Sequence, residues 1–278
     1  LMHIKEYLEN RRKKKFKKKY RVGLCLSGGG TRGFAHLGAF KAFEEAGIEF
    51  DMVAGTSAGS LFGALYATKM KYADMLTLTS GVKNSDFRNA KLKFLPSKMD
   101  NLNQLIKNIF PVRRIEELKI PFFAVSVDLK TGEEIHFKEG ELAPILSGSC
   151  AIPGVYYPVK YKNMTLIGGG VKNNIPADVL RDNGCDFVVT IDCNCTRGRG
   201  TKSENFFTQF MASVGIMNVN NSNKGKALSD IVICPNMEKF ASMKVKDRIE
   251  MINEGYRATK EMMPYIENLF SGRYKKRK

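Results

Sequence analysis

The chain of 278 residues has no tryptophan and only three histidines, and its six cysteines form no C-x-x-C pair and no Cys/His cluster. That spacing indicates no zinc site. No apolar stretch is long enough to span a bilayer, and no apolar segment follows the basic residues near the N-terminus. We therefore predict an intracellular, cytoplasmic protein with reduced thiols, no secretion signal, no metal and no cofactor.

Positive charge is concentrated at both ends of the chain. The formal net charge is +17; residues 1–20 carry nine Lys or Arg against two Glu, and residues 271–278 carry five Lys or Arg. Such clusters gain up to about 1 kcal/mol per basic residue beside an anionic bilayer. Lysine runs are otherwise disordered tails that attract nucleic acid without sequence preference. Two interpretations stay open for the N-terminal arm (1–20) and the tail (271–278). One is contact with an anionic membrane surface, peripheral at the inner face, and the other is a disordered tail; no specific nucleic-acid partner is predicted.

Apolar runs of strand length alternate with helical periodicity from residue 20 onward. RVGLCLS is followed by the turn GGGTRG and by a helical segment that ends at Gly47; FDMVA is followed by GTSAGS and LFGALYATKM. Strands that alternate with helices favour a parallel sheet. We predict an α/β domain over 21–195 with a mainly parallel central sheet, and a cap or insertion at the Lys-rich, weakly periodic segment 71–113. Residues 196–270 are expected to add helical elements that pack on the same domain.

A G-x-S-x-G pattern, Gly55-Thr56-Ser57-Ala58-Gly59, lies between a predicted strand and a predicted helix. On such a bend a serine is raised above the sheet, and the flanking Gly55 and Gly59 let the backbone turn sharply. Ser57 is therefore a candidate nucleophile. The alternative is an ordinary strand-to-helix turn in which the Ser57 side chain caps the helix.

A second glycine turn, Gly28-Gly29-Gly30-Thr31-Arg32-Gly33, fits the G-x-G-x-x-G spacing of dinucleotide-binding loops. That function requires an acid at the carboxyl end of the next strand. Asp51 has nearly the right spacing but lies at the amino end of its strand, so a nucleotide site is disfavoured. Bare backbone N–H groups at a helix N-terminus are instead suited to hold an oxyanion. Arg32 adds positive charge there, or else forms a surface salt bridge.

Together with two later stretches, SCAIPGVYYPV at 149–159 and GGGVKNNIP at 168–176, these motifs resemble the patatin-like phospholipases. The resemblance implies a three-layer α/β/α fold. It also implies hydrolysis of lipid acyl esters, of the phospholipase A, lysophospholipase or esterase type, by a Ser-Asp dyad without histidine or metal. The implied substrate is a phospholipid or a lysophospholipid. By this resemblance Ser57 matches the nucleophile, Gly28 to Gly30 match the oxyanion loop, and Arg32 matches its basic member.

The last motif of that family is Asp-Gly-Gly or Asp-Gly-Ala, followed by a hydrophobic residue and Asn-Asn-x-Pro. Six positions of this sequence fit it: Gly169, Gly170, Val171, Asn173, Asn174 and Pro176. The aspartate position is occupied by Gly168, which supplies no base. A positioned general base contributes about 10²- to 10⁴-fold, so the resemblance implies weak or absent hydrolysis in this chain. The alternative is a catalytically silent lipid-binding protein on the same fold.

No other residue is predicted to replace the missing base. His36 falls in the first turns of the helix after the oxyanion loop, where we expect a packing role and a neutral ring. His3 lies in the basic arm and His136 in a predicted strand. Three aspartates after the last motif are expected to have solvated or capping roles: Asp178, Asp182 and Asp192.

Overall fold

The computed structural model describes residues 16–18, 20–87, 96–195, 205–240, 244–271 and 274–276. Its strands are β1 (Phe16–Lys18), β2 (Val22–Leu26), β3 (Met52–Thr56), β4 (Phe122–Asp128), β5 (Glu134–Phe137), β6 (Val159–Tyr161), β7 (Met164–Gly168), β8 (Phe187–Ile191), β9 (Ile231–Ile233) and β10 (Tyr274–Lys276). Its α-helices are α1 (Phe34–Glu45), α2 (Ala58–Ala67), α3 (Tyr72–Ser80), α4 (Asn84–Phe87), α5 (Asp100–Ile109), α6 (Leu142–Ser149), α7 (Ala177–Asp182), α8 (Phe206–Ala227) and α9 (Arg248–Ser271). Short 3₁₀ helices cover Gly30–Gly33, Ile115–Glu117 and Gly169–Val171.

Eight of the described strands form one sheet, in the order β6-β7-β4-β3-β2-β8-β9 with β5 paired to β4 outside this path. Neighbours from β9 to β4 are parallel, whereas β5, β7 and β6 join by antiparallel pairs. The continuous apolar run VGLCL forms the buried strand β2 because both faces of a parallel sheet are covered by other elements. The predicted α/β fold with a mainly parallel sheet is confirmed.

Side chains of the sheet alternate between two cores on its opposite faces. In β2, Leu24 and Leu26 belong to the larger core and Cys25 to the smaller one. Helices α1, α2 and α9 supply apolar side chains to the larger core, and α7 supplies them to the smaller one. Helices on both faces of one sheet make the three layers expected from the sequence.

The register of β2 and β3 brings two turns together. Leu26 pairs with Gly55, so the glycine turn after β2 and the serine turn after β3 leave the sheet side by side. Functional groups in open parallel sheets collect at this carboxyl-end edge. Asp51 lies at the other edge, where its Oδ2 accepts a hydrogen bond from the N–H of Val22 at 2.8 Å.

The C-terminal part contains a strand in addition to the helical elements expected after residue 195. Strand β9 extends the parallel sheet beside β8, and it lies between the helices α8 and α9. The strand was not predicted because it has three residues, which is too short for a period of two to be recognised.

The expectation of reduced thiols is wrong for two cysteines. Cys195, after β8, and Cys234, after β9, form a disulfide with a Cα–Cα distance of 5.6 Å. The other four cysteines are free and buried: Cys25, Cys150, Cys185 and Cys193. The pair is 39 residues apart in sequence, and only the parallel pairing of β8 with β9 brings the two loops together.

Two basic segments from opposite ends of the chain meet. Strands β1 and β10 form a two-stranded antiparallel ribbon in which Lys17 lies opposite Lys275. The basic residues of the arm and tail that do not belong to β1 or β10 lie outside the described residues. The disorder of the arm and the tail therefore stays a prediction. Across the described ranges, no helix is both long and apolar enough to cross a membrane.

Replacing Gly255 by alanine is expected to destabilise the protein. The new Cβ would lie 1.9 Å from the carbonyl oxygen of Ala35, so α1 and α9 would have to separate. Overpacking of this kind lowers the free energy of unfolding by about 1–3 kcal/mol, or more. Gly81→Ala is the matched control, since nothing lies within 4 Å of a Cβ at that position. Urea unfolding measures the effect, and equal midpoints for the two variants would contradict it.

Candidate active site

Ser57 sits on a strained bend between β3 and α2. Its backbone angles are φ 53° and ψ −123°, a conformation that L-residues seldom adopt and that is found at functional sites. A Cβ at Gly55 would lie 2.2 Å from the carbonyl oxygen of Gly59, and one at Gly59 would lie 2.1 Å from that of Leu26. Both positions therefore require glycine, and the bend raises the half-buried Ser57 above the sheet.

The alternative role of Ser57, as a side-chain cap of the following helix, is wrong. Its side chain makes no capping hydrogen bond to α2. The bend is held through the backbone instead, since the N–H of Ser57 donates to Oγ of Ser149 at 2.8 Å. Ser149 in turn donates to the carbonyl oxygen of Val125 at 2.6 Å. This positioning role of Ser149 was not found from the sequence, although the residue begins one of the family-like stretches.

The glycine turn after β2 lies directly against Ser57. A Cβ at Gly28 would be 3.3 Å from Cβ of Ser57 and 2.5 Å from Oδ1 of Asn174, so a side chain at Gly28 would displace the loop. Within the described residues, the N–H groups of Gly29 and Gly30 have no hydrogen-bond acceptor. These two groups are available to stabilise negative charge on an oxygen beside Ser57.

Arg32 anchors this glycine turn from below. It is buried, with 7% of its surface exposed. Its Nε donates to the carbonyl oxygen of Phe240 at 2.9 Å, and its Nη1 donates to Oδ1 of Asn194 at 3.5 Å. Nδ2 of Asn194 donates to the carbonyl oxygen of Gly28 at 2.5 Å. The alternative of a surface salt bridge is therefore wrong for Arg32, and Asn194 is a site residue that the sequence analysis missed.

Gly33 closes the turn against the serine bend. A Cβ at Gly33 would lie 2.7 Å from Cβ of Ala58, so this glycine lets the start of α1 approach the start of α2. Together the glycines at 28, 33, 55 and 59 allow two backbone turns to touch. A sequence with ordinary side chains at these positions would hold the turns apart.

Gly168 and Gly169 differ in whether a side chain could be added at their positions. Gly168, the last residue of β7, has φ −55° and ψ 129°, which any L-residue adopts. A Cβ there would lie 3.4 Å from the carbonyl oxygens of Ser149 and Ala151, an ordinary contact. A Cβ at Gly169 would lie 2.3 Å from the carbonyl oxygen of Val125. Gly169 is thus required by the fold, whereas the position of Gly168 has room for a side chain.

The rest of the last motif holds the loop after β7 in place. Oγ1 of Thr56 donates to the carbonyl oxygen of Asn173 at 2.8 Å, which ties this loop to β3. Nδ2 of Asn174 donates to Oγ of Ser222 at 3.2 Å. Nδ2 of Asn221 donates to the carbonyl oxygen of Val171 at 2.6 Å. Pro176 directly precedes α7. Helix α8 therefore completes the site, which the sequence analysis did not foresee.

A large apolar cavity of about 340 Å³ opens beside Ser57. Its walls include Ala58, Phe62 and Ile152, together with Leu105 and Phe110 from the segment predicted as a cap. No charged side chain of the described residues lines it. Helix α5 places its apolar residues at i, i+3, i+4 and i+7, starting at Leu102. The expectation of weak periodicity in 71–113 is therefore wrong for α5.

A second, smaller cavity of about 70 Å³ also adjoins Ser57 and shares Gly30 and Ile152 with the first. We call it the small polar pocket; its polar lining residues are Ser57, Ser149, Asn174, Asn194 and Asn218, and its glycines are Gly28, Gly29, Gly30, Gly168, Gly170 and Gly215. Four apolar residues complete its wall: Ile152, Pro153, Val171 and Val214. Ser57 therefore adjoins both an apolar cavity and a polar one that contains position 168.

Sequence comparison agrees with this arrangement. The family profile described as patatin-like phospholipase matches residues 24–181, more than half of the chain. The chain belongs to the patatin-like phospholipase family. An NTE family protein of Mycobacterium tuberculosis is 31% identical over 179 residues, which cover 63% of this chain and 30% of that relative. A patatin-like phospholipase domain-containing protein of Caenorhabditis elegans is 36% identical over 180 residues, 62% of this chain and 13% of its own length. This chain thus spans less than a third of these two relatives.

Solved structures share the fold at low sequence identity. VipD from Legionella pneumophila aligns over 90% of this chain and 68% of its own with a TM-score of 0.61 and 14% identity. Human GIVD cytosolic phospholipase A2, in complex with methyl gamma-linolenyl fluorophosphonate, aligns over 89% and 58% with a TM-score of 0.50 and 10% identity. These likenesses concern the patatin-like fold of the chain.

His36 is packed beneath the patatin-like glycine turn. It is fully buried, its Nε2 lies 3.1 Å from the carbonyl oxygen of Ser27, and its ring contacts the thiol of Cys193. Burial lowers the pKa of His36 to about 4, against a partly opposing hydrogen bond to Ser27. The ring is therefore neutral at physiological pH, in the packing role expected from the sequence.

Two of the three aspartates after the motif are buried in ion pairs. Asp192 lies 2.7 Å from Nζ of Lys226, and Asp178 lies 2.6 Å from Nζ of Lys224. The expected solvated role is therefore wrong for these two, while Asp182 is exposed. Both also accept a local backbone hydrogen bond, Asp178 from the N–H of Val179 and Asp192 from the N–H of Asn194. Burial raises the pKa of Asp178. Hydrogen bonds from Lys224 and Asn173, together with the charge of Lys224, outweigh burial and leave that pKa below its usual range. Neither Asp178 nor Asp192 lines either cavity.

We expect the free energy of unfolding to fall as the pH is lowered from 6.5 to 4. The unfolded chain binds a proton at His36 near its ordinary pKa of 6.5, and the folded chain only near 4. The stability that neutral His36 contributes is complete above 6.5, and the loss reaches about 3 kcal/mol at pH 4. Urea unfolding across this range measures the slope.

His36→Gln should remove that slope, whatever its effect on absolute stability. His136→Gln is the control. The hydrogen bond that His136 donates to Glu134 raises the pKa of His136, so the stability contributed by His136 is constant below pH 6.5. An unchanged slope in His36→Gln would show that the assignment is wrong.

Proposed function

We propose that this chain is a lipid acyl hydrolase domain in which Ser57 is the nucleophile and hydrolysis is weak or absent because Gly168 occupies the position of the dyad acid. One observation carries the proposal. The strained Ser57 lies between an apolar cavity of about 340 Å³ and a glycine turn with two free N–H groups, and the acid position adjoins the same site. Family membership supports lipid esters as the substrate class.

Each part of the site has a role in acyl transfer. The acyl chain of a phospholipid or lysophospholipid lies in the apolar cavity, whose walls carry no charge among the described residues. Oγ of Ser57 then attacks the ester carbonyl carbon. The N–H groups of Gly29 and Gly30 bind the oxygen that becomes negative, and such groups lower the barrier because they are already oriented.

The step that fails is proton removal from Ser57. A serine hydroxyl is a weak nucleophile until a base accepts its proton, and Gly168 has no side chain to do so. His36 does not replace it, because it is enclosed below the turn and bonded to Ser27. Asp178 and Asp192 do not replace it either, because they form ion pairs with Lys224 and Lys226 and line neither cavity.

A lipid-binding protein without turnover is the second candidate function. The observation that favours it is that Gly168 is not among the residues that line the apolar cavity. Loss of the acid therefore leaves the lipid-binding walls unchanged. In this function the chain holds an acyl chain and presents its headgroup at the surface.

Gly168→Asp is expected to increase ester hydrolysis by about 10²- to 10⁴-fold, since a positioned general base contributes this much. A Cβ at that position would make only ordinary contacts, the nearest at 3.4 Å, so the first atom of the new side chain meets no clash. Hydrolysis of phospholipids and of p-nitrophenyl esters measures the rate. Gly168→Asn is the matched control, because it has the same shape and no base.

Ser57→Ala in the Gly168→Asp background should abolish the new activity and its labelling by a fluorophosphonate. If Gly168→Asp stays inactive while the chain binds lipid, the dyad assignment fails and lipid binding becomes the function. Activity that survives Ser57→Ala would remove Ser57 as the nucleophile.

We also propose that the basic ends bring the domain to anionic membranes. The backbone pairing of β1 with β10, which places Lys17 opposite Lys275, brings basic segments from both ends of the chain together and supports this proposal. Binding to vesicles that contain phosphatidylserine should exceed binding to phosphatidylcholine vesicles and should fall with salt. Changing Lys17 and Lys275 to Gln should weaken it by roughly tenfold or more. Co-sedimentation measures this, and equal binding to both vesicle types would contradict it.

A further inference from the structure

We propose that the small polar pocket binds a small carboxylate ion, such as formate or acetate, and that the bound ion acts as the base that Gly168 lacks. This inference rests on the proposed function of Ser57. It adds a ligand site and a condition for activity: hydrolysis depends on a carboxylate supplied from solution.

The location of the pocket supports this role. Ser57 and Gly168 both line it, and Ser149 connects them. Oγ of Ser149 holds the N–H of Ser57 at 2.8 Å, while its carbonyl oxygen lies 3.4 Å from where a Cβ at position 168 would be. A carboxylate in the space in front of Gly168 is therefore next to the serine whose proton must be removed.

The size of the pocket selects small ions. Its volume of about 70 Å³ is much smaller than that of the apolar cavity, about 340 Å³. We expect an ion of three or four non-hydrogen atoms to fit this space best. Branched carboxylates of similar basicity are expected to bind less well, so the size of the ion becomes a test of where it binds.

The polar lining compensates a negative charge. No acidic side chain lines the pocket, and three amide side chains do: Asn174, Asn194 and Asn218. Each amide nitrogen carries two N–H bonds, and one N–H of Asn194 and one of Asn174 are used within the protein. Gly29 and Gly30, whose N–H groups have no acceptor among the described residues, line the same pocket. Buried Arg32, bonded to Asn194, adds a positive charge behind it. A carboxylate that leaves water needs such donors.

The chemical step balances without another reactant. As Oγ of Ser57 forms a bond to the ester carbonyl carbon, its proton moves to the carboxylate. The carboxylic acid so formed gives that proton to the leaving alcohol as the ester C–O bond breaks. In the second half, the carboxylate takes a proton from water as it attacks the acyl-serine, and returns it to Oγ of Ser57. The ion is regenerated in each cycle.

The test is ester hydrolysis by this chain in increasing sodium formate, with sodium chloride at matched ionic strength as reference. We expect a saturable increase of at least about tenfold, below the rate of Gly168→Asp, because a positioned base acts at a far higher effective concentration than a free one. Acetate should act more weakly than formate, and pivalate not at all.

Three variants locate the effect. Ser57→Ala should show no increase. Gly168→Asn should show none, because the amide fills the space and supplies no base. Gly168→Asp should be active in chloride alone and gain nothing from formate. Thermal unfolding confirms that each variant is folded.

The outcomes separate this inference from the proposed function. If Gly168→Asp is active and formate has no effect on the original chain, the carboxylate site is overturned and the Ser-Asp dyad stands. Equal acceleration of Gly168→Asn also overturns it, since the ion then acts elsewhere. If Gly168→Asp and formate both leave the chain inactive, the inference and the proposed function fail together. If formate accelerates hydrolysis by the original chain while Gly168→Asp is inactive, carboxylate binding in the small polar pocket is supported. The assignment of position 168 to the dyad acid is then rejected.

Discussion

Backbone of α2 lies in contact with the end of β2, where an added Cβ at Gly59 would come within 2.1 Å of the carbonyl oxygen of Leu26. This contact sets the distance between the serine bend and the glycine turn. Because Leu26 pairs with Gly55, the two turns start at the same level of the sheet. The strained Ser57 then lies beside Gly29 and Gly30, whose N–H groups have no acceptor among the described residues. A site built from backbone in this way is already organised before a ligand arrives.

Around this contact, the two sides of Ser57 are built by different parts of the chain. On one side, α5 and neighbouring apolar residues enclose the cavity, and no charge from the described residues enters it. On the other side, α8 contributes Asn218, and asparagines from two loops complete a polar wall. In the proposed function, the lipid tail and the transferred proton are therefore handled by different walls of the site. A change at Gly168 alters the second side and leaves the first intact.

The contrast between Gly168 and Gly169 shows which part of the last motif the fold requires. Gly169 lies against the carbonyl oxygen of Val125, so a side chain there would separate β7 from β4. Gly168 has ordinary backbone angles and ordinary distances. Nothing in the packing demands glycine at this position. The fold is thus compatible with glycine at 168 and equally with a residue that has a side chain.

The sequence by itself determined the parallel α/β architecture, the two glycine turns and the occupant of the acid position. These depend on short segments, where apolar runs, glycine spacing and a helical period are readable over a few residues. Only the tertiary structure decided that Asn194 and Ser149 hold the site, that Asp192 pairs with Lys226, and that Cys195 meets Cys234. Each of these contacts joins segments separated by more than thirty residues, and which segments become neighbours depends on the order of strands in the sheet. The residue pattern of a short segment does not specify the order of the strands, because that order results from packing the whole chain around two cores.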